Sequence, residues 1–405
     1  MAKCRCGTGL GTLSARMKLS PMKLSPVERS LAVTMTGIPT AAGMEDRVIA
    51  FLEGWFFARS QRVRIQRDDG GNMLVSQRNA PRGVRPLLIT AHLDHPAFVV
   101  RRVVSQRIVE LEFRGGVHDP YFVGSRLQVI DSDDCIHAAT IQSLNAKTKP
   151  YKRVQARLTH PSQAIARGDI ARWHLPEPRI TKGLLHTHAC DDLAAVAAAL
   201  IAFDRILATK SARHVSLLFT RAEEVGFVGA IHSVRSGLIP RKARLVCLEN
   251  SRSFPHDSPM GAGAILRVGD RLSVFSPELT NTLGDLFAAT RARDSTFQFQ
   301  RKLMAGGACE ATAFAAHGLE STCLCLPLGN YHNMVNIDGV LRKKVRARVG
   351  SESISMNDFE SLVRMLQIAA SQLDSVPNSQ RATMKIMNRL HRQGRALLKP
   401  KKASR

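Results

Sequence analysis

Five places in the chain put a histidine or a carboxylate just after a run of apolar residues or at the start of a helical one. His92-Leu93-Asp94 follows the apolar run 86–91, and Asp191-Asp192 opens an alanine-rich stretch. Glu223-Glu224 comes after the run 215–220, Glu249 after 245–248, and Tyr331-His332 after 321–326. Imidazole and carboxylate are the ligands that a borderline cation such as Zn²⁺ accepts. Each place alone reads as a surface pair, a helix cap or a solvated first turn. Together they describe a site for two divalent ions and a hydrolytic water. Two such ions, roughly 3.5–4 Å apart, need a carboxylate between them and further ligands on either side. Asp191 suits the bridge; His92 with Glu249 completes one site, and Glu224 with His332 the other. Asp94, two residues from His92, can accept the hydrogen bond of the other ring nitrogen and so fix the tautomer. Glu223 neighbours a ligand without being one. It can take a proton from the attacking water and pass it to a leaving amine.

These groups meet only if the apolar runs are strands of one sheet. Runs at 86–91, 215–220, 245–248 and 321–326 alternate with helical patterns at 192–207, 226–236, 278–292, 311–317 and 359–373. That alternation predicts an α/β fold, a mainly parallel sheet flanked by helices, with the crevice beyond the carboxyl ends of its strands. Upstream, 31–55 reads as an amphipathic helix. Residues 63–75, broken by Asp68-Asp69-Gly70-Gly71, read as two strands and a turn. From 99 to 186 the pattern changes to short β segments with frequent turns, and a small inserted β-barrel-like domain is expected there. The expected organisation is therefore an unstructured extension over 1–30, a catalytic domain over 31–98 and 187–376, an inserted β-domain over 99–186 serving assembly and access, and a basic tail over 377–405.

The blocks Ala91-His92-Leu93-Asp94, Asp191-Asp192, the run from Thr220 through Glu223-Glu224-Val225-Gly226 to Ala230, and Leu328-Gly329-Asn330-Tyr331-His332-Asn333 resemble the signatures of peptidase family M42. Arg114-Gly115-Gly116-Val117-His118-Asp119-Pro120 and Gly261-Ala262-Gly263-Ala264-Ile265 agree with them. The resemblance runs from about residue 36 to about 373. It implies an aminopeptidase with two co-catalytic metal ions, zinc first and cobalt or manganese as alternatives. It assigns His92, Asp191, Glu224, Glu249 and His332 as ligands and Glu223 as base. It also implies a homo-oligomer assembled through the inserted domain. The chain departs from the family pattern at His95-Pro96-Ala97, at Glu249 where Asp is usual, at Leu193, and at Cys309-Glu310. Those changes surround the substrate pocket, so a deacylase or amidohydrolase of the wider M20/M28 clan is the alternative activity. A basic binding protein on a hydrolase fold is a third reading.

The composition limits the other classes. Fifty-eight Lys and Arg against 33 Asp and Glu give a net charge of +25, and nine of those bases lie between Arg381 and Arg405. Such a field favours acidic substrates and loose adhesion to anionic surfaces, with no specific nucleic-acid motif to go with it. No apolar run reaches the roughly 20 residues of a membrane span. Eight scattered cysteines, several inside apolar runs, read as reduced thiols of a cytoplasmic protein rather than a disulfide framework. His186 and His188 read as loop residues near the site, and Cys190 as a small buried hydrophobe.

Overall fold

The structure, a computed structural model, describes residues 23–398 except 82, 210–211 and 376–378. Its centre is an eight-stranded sheet in the spatial order Val63–Arg67, Met73–Gln77, Val215–Thr220, Leu87–His92, Arg244–Arg252, Glu320–Leu328, Ala264–Gly269, Phe299–Leu303. The four middle strands are mutually parallel. Antiparallel pairings enter on both flanks, so the sheet is mixed, with its parallel part at the middle. Every residue of Leu87–His92 and of Val215–Thr220 is buried, which is why both read as continuous apolar runs rather than alternating ones.

Helices cover both faces. Leu87, Ile89 and Ala91 pack with the helices Leu193–Thr209 and Met356–Gln372, while Leu88, Leu218 and Leu245 face Val228–Arg235 and Glu310–Ala316. The Leu193 helix is apolar all round and almost wholly buried; its alanines let it pack closely between the sheet and the Met356 helix.

Five residues past His92 the chain leaves the sheet for a closed six-stranded barrel. Its strands run in the order Ala97–Ser105, Ile108–Arg114, Lys152–Leu158, Ile136–Asn145, Arg126–Ile130, Ile170–Trp173. Residues of Ile108–Arg114 alternate between the barrel interior and its surface, and Phe98, Phe113, Phe122 and Trp173 fill the centre in edge-to-face contacts. The barrel strands span 97–173. The end of the insertion expected over 99–186 instead forms the strands Arg179–Thr181 and Leu184–Thr187, the second of which pairs with Glu352–Ser355. The barrel is rooted at the carboxyl edge of the sheet, where the candidate ligands lie.

Three further expectations change. The single helix over 31–55 is two helices, Pro26–Gly37 and Asp46–Phe57, separated by a loop that begins at Ile38-Pro39. Ordered structure also starts before residue 30, because Ser25 and Glu28 form a capping box on the first of them; residues 1–22 lie outside the described ones. Finally, the basic stretch past 377 contains a helix, Ser379–Gly394.

Candidate metal centre

The five strand-end segments meet at one point. Asp191 sits between the two histidines, with Oδ1 3.5 Å from His92 Nε2 and Oδ2 3.5 Å from His332 Nε2. Glu249 Oε1 is 3.8 Å from His92 Nε2, and Glu224 Oε1 is 3.2 Å from His332 Nε2. His332, Asp191 and Glu224 thus form one mutually close group, His92 has both Asp191 and Glu249 beside it, and a further close group joins His92 to Glu223 and Glu224. Asp192 also brings an oxygen within reach of His92 and Asp191.

Both histidines are positioned by a contact at Nδ1 that turns Nε2 to the carboxylates. His332 has a left-handed backbone (φ 52°) and hydrogen-bonds through Nδ1 to the carbonyl of Gly116 at 2.7 Å. A carbonyl only accepts, so Nδ1 carries a proton, and Nε2 is the atom turned to Asp191 and Glu224. Gly116 belongs to the Arg114-Gly115-Gly116 turn of the inserted barrel, so the barrel orients one candidate ligand. His92 hydrogen-bonds through Nδ1 to the main-chain carbonyl of Asp94 at 3.2 Å, and the Asp94 carboxylate Oδ1 lies 3.5 Å from the same nitrogen. Asp94 does more than the sequence suggests: its two oxygens accept the backbone N–H groups of Glu223 at 2.9 Å and Glu224 at 3.0 Å.

Residues 221–227 form an irregular loop rather than the start of a helix. Glu45 accepts the N–H of Ala222 at 2.9 Å and pairs with Arg221 Nε at 2.6 Å, clamping the loop from outside. Gly229 closes it, because a Cβ there would stand 2.2 Å from the Arg221 carbonyl oxygen.

The sequence reading missed Glu352. This buried residue of the strand Glu352–Ser355 accepts the N–H of Cys190 at 2.7 Å and of Asp191 at 3.1 Å on one oxygen, and that of His332 at 2.8 Å on the other. It lies in Ser-Glu-Ser with no apolar run before it, so no local pattern marks it. Glu310, noted in the sequence only as a departure from the family pattern, accepts from Thr90 Oγ1 at 3.2 Å beneath the centre. His188 is buried, but it lies outside the ligand groups, and burial together with the charge of Arg172 pushes its pKa down to about 3. Cys190 is a buried free thiol, as expected.

Burial and close-packed charge shift several titratable groups of the centre. Burial pushes the Glu223 carboxyl well above its usual range, and the neighbouring charges of Glu249, Glu224 and Asp94 add to the effect. Burial and the charge of Asp191 push Glu249 up to about 8. Asp191 resists burial, because the imidazoles of His332 and His92 hold its carboxyl far below the usual range. His92 Nε2 and Asp191 Oδ1 are both buried without a hydrogen-bond partner. Ligands sharing one tetrahedral ion at bonds of about 2.1 Å lie about 3.4 Å apart. The separations here, 3.2 to 3.8 Å, fit that arrangement.

The centre opens into a cavity of about 690 Å³, lined among others by Arg252, Arg267, Lys302, Met304 and Tyr331. Arg252 and Lys302 are paired with Asp338 and Asp257. Arg267 is buried with Nε and Nη1 unpartnered, and Nη2 bonded to Ser251.

Among solved structures the chain is similar to an aminopeptidase from the archaeon Desulfurococcus kamchatkensis, at 18% identity and TM-score 0.68, covering 87% of this chain and 98% of that one. It is similar to the TET1 peptidase of Pyrococcus horikoshii, which can assemble into a tetrahedron or a large octahedral shell, at 18% identity and TM-score 0.68 over 85% and 99%. It also resembles a Thermotoga maritima protein described as an endoglucanase, at 17% identity and TM-score 0.60 over 85% and 99%. At such identities these likenesses establish the shared fold. No curated protein matches the chain. The sequence profile of the M42 glutamyl aminopeptidases matches residues 71–343, which is most of the chain and contains the whole candidate ligand set. The chain belongs to the M42 glutamyl aminopeptidase family.

Proposed function

We propose that this protein is a metal-dependent aminopeptidase that holds two divalent ions, zinc first and cobalt or manganese as alternatives, on His92, Asp191, Glu224, Glu249 and His332. The observation that carries the reading is the position of Asp191, with one oxygen facing each histidine. The ions supply Lewis acidity toward a carbonyl oxygen and a water molecule. Glu223, buried among anions and held at its N–H by Asp94, takes the proton of the attacking water and delivers it to the departing amine. Asp94 is a positioning residue, orienting His92 and the base-bearing loop together.

Arg267 lines the cavity with Nε and Nη1 buried and free of hydrogen bonds, Nη2 being held by Ser251, and two such open donors favour a substrate whose first side chain is acidic. By analogy with the shells of the Pyrococcus peptidase, assembly into a homo-oligomer through the inserted barrel belongs to the same proposal. So does a reducing, cytoplasmic setting, which suits the six free thiols among the described residues. No helix among those residues is long and apolar enough to cross a membrane.

The test is a metal analysis of purified protein combined with a panel of aminoacyl-p-nitroanilides and N-acyl amino acids. Glutamyl and aspartyl anilides should be cleaved best, and Arg267→Met should remove that preference while leaving alanyl anilide as a substrate. Full activity after exhaustive chelation would sink the metal claim. Turnover confined to N-acyl amino acids would favour the deacylase instead.

A further inference from the structure

The helix Ser379–Gly394 lies beyond the 71–343 stretch that carries family membership, and the metal centre makes no use of it. It runs alongside the helix Pro277–Arg293, yet every residue from 383 to 393 is exposed. At 3.6 residues per turn, Ile386, Met387 and Leu390 fall on one face, with Met384 at its edge. Each of these four side chains is about half exposed. Lys385, Arg389 and Arg392 occupy the opposite face. Leu397 and Leu398 follow, at 89% and 78% exposure. Residues 375–405 contain no acidic side chain.

This distribution selects among possible covers. An apolar stripe needs apolar material over it, which a phosphate backbone does not offer. A second copy of the same helix would cover the stripe but leave both basic faces turned outward, with no acid in the segment to answer them. A bilayer bearing anionic headgroups offers both an apolar layer and negative charge at adjacent depths. Helices with a narrow apolar face, a Lys/Arg-rich polar face and low net hydrophobicity lie in that boundary.

We propose that the helix Ser379–Gly394 is a peripheral anchor for an anionic lipid surface, with Ile386, Met387 and Leu390 entering the headgroup boundary and Lys385, Arg389 and Arg392 meeting lipid phosphates or carboxylates. The metal centre lies on the other elements, so the protein would be held at a surface while its active cavity stays in water. This reading does not depend on the peptidase activity.

The full chain is sedimented with vesicles of phosphatidylcholine alone and with vesicles containing about a third phosphatidylserine, at low and high salt. Binding to the anionic vesicles should exceed binding to the neutral ones at least tenfold, and salt should weaken it. Because the body of the protein is itself basic, the deciding variant keeps every charge. Met387→Gln with Leu390→Gln should lower anionic-vesicle binding about tenfold, through loss of buried apolar surface alone, with circular dichroism and activity on soluble substrates unchanged. If this double variant bound as well as the parent, simple charge adhesion would replace the anchor. Absence of vesicle binding by the parent would overturn the proposal, as would a variant whose only change was a smaller oligomer.

Discussion

Asp191 and His332 are linked twice: directly, Oδ2 to Nε2 at 3.5 Å, and through their backbones, because both N–H groups donate to the same Glu352 carboxylate. One contact sets the distance between two ligands, and the other sets the direction from which each arrives. The five candidate ligands come from different segments, so the centre is only as well ordered as such ties make it. Several consequences can be measured.

Removing metal should cost stability as well as activity. Any cation bound by the folded chain alone stabilises it by about 2.7 kcal/mol when present at 100 times its dissociation constant. Dialysis against a chelator should therefore lower both the melting temperature and turnover. Both should return with zinc, cobalt or manganese. An unchanged melting curve would argue against a resident ion.

Glu223→Gln keeps the shape of the site and removes the proposed base. Turnover should fall by about 10²–10⁴ while bound metal and KM stay near the parent values. Metal content measured on the same sample separates loss of the base from loss of the ions.

Asp94→Asn exchanges one acceptor oxygen for an amide that meets the Glu223 or Glu224 N–H head-on. Metal affinity should drop by about 10–100-fold, the usual effect of removing a group that orients a ligand, and kcat should fall with it. Competition with a fluorescent chelator gives the affinity; retention of parental affinity would relegate Asp94 to a structural part.

Gly229→Ala tests the loop that carries the base. The new methyl would lie 2.2 Å from the Arg221 carbonyl oxygen, with the Arg221 nitrogen and Asn72 Oδ1 nearly as close. The backbone must shift, at a cost of about 1–3 kcal/mol, and Glu223 shifts with it. Urea unfolding should report the destabilisation, and kcat should fall more than KM changes.

Asp358 gives a pH dependence away from the metals. It accepts the N–H groups of Gly261 and Gly263 at 2.7 Å each, yet burial outweighs those bonds and lifts its pKa to about 6. The folded chain therefore holds this proton more tightly than the unfolded chain, where a pKa near 3.9 applies. The contribution to stability is full below about pH 4 and is lost as pH rises through about 6, to a limit of about 3 kcal/mol. Unfolding midpoints measured from pH 4 to 8 should decline through this window in the parent and less steeply in Asp358→Asn.

Much of the site was legible because its determinants are local. A strand buried on both faces must be a continuous apolar run, and a ligand at its end stands out against that run. His92, Glu249 and His332 could therefore be read from neighbours a few residues away, and the six-stranded barrel announced itself as a change from long to short segments. The break between Pro26–Gly37 and Asp46–Phe57 was missed, although Pro39 stood inside the presumed helix. The apolar spacing on either side simply looked continuous.

By itself the sequence determined the candidate ligands and their order along the chain, the α/β framework and the family, because these depend on local apolar pattern and on short blocks of adjacent residues. Tertiary structure alone decided which carboxylates lie beside which histidine, that Gly116 of the barrel accepts from Nδ1 of His332, and that Glu352 joins Asp191 to His332. It also decided that the basic stretch past residue 377 includes a helix with an uncovered apolar face. Hydrogen bonds between residues 20 to more than 200 positions apart leave no periodicity in a sequence, since nothing but the fold brings their atoms together.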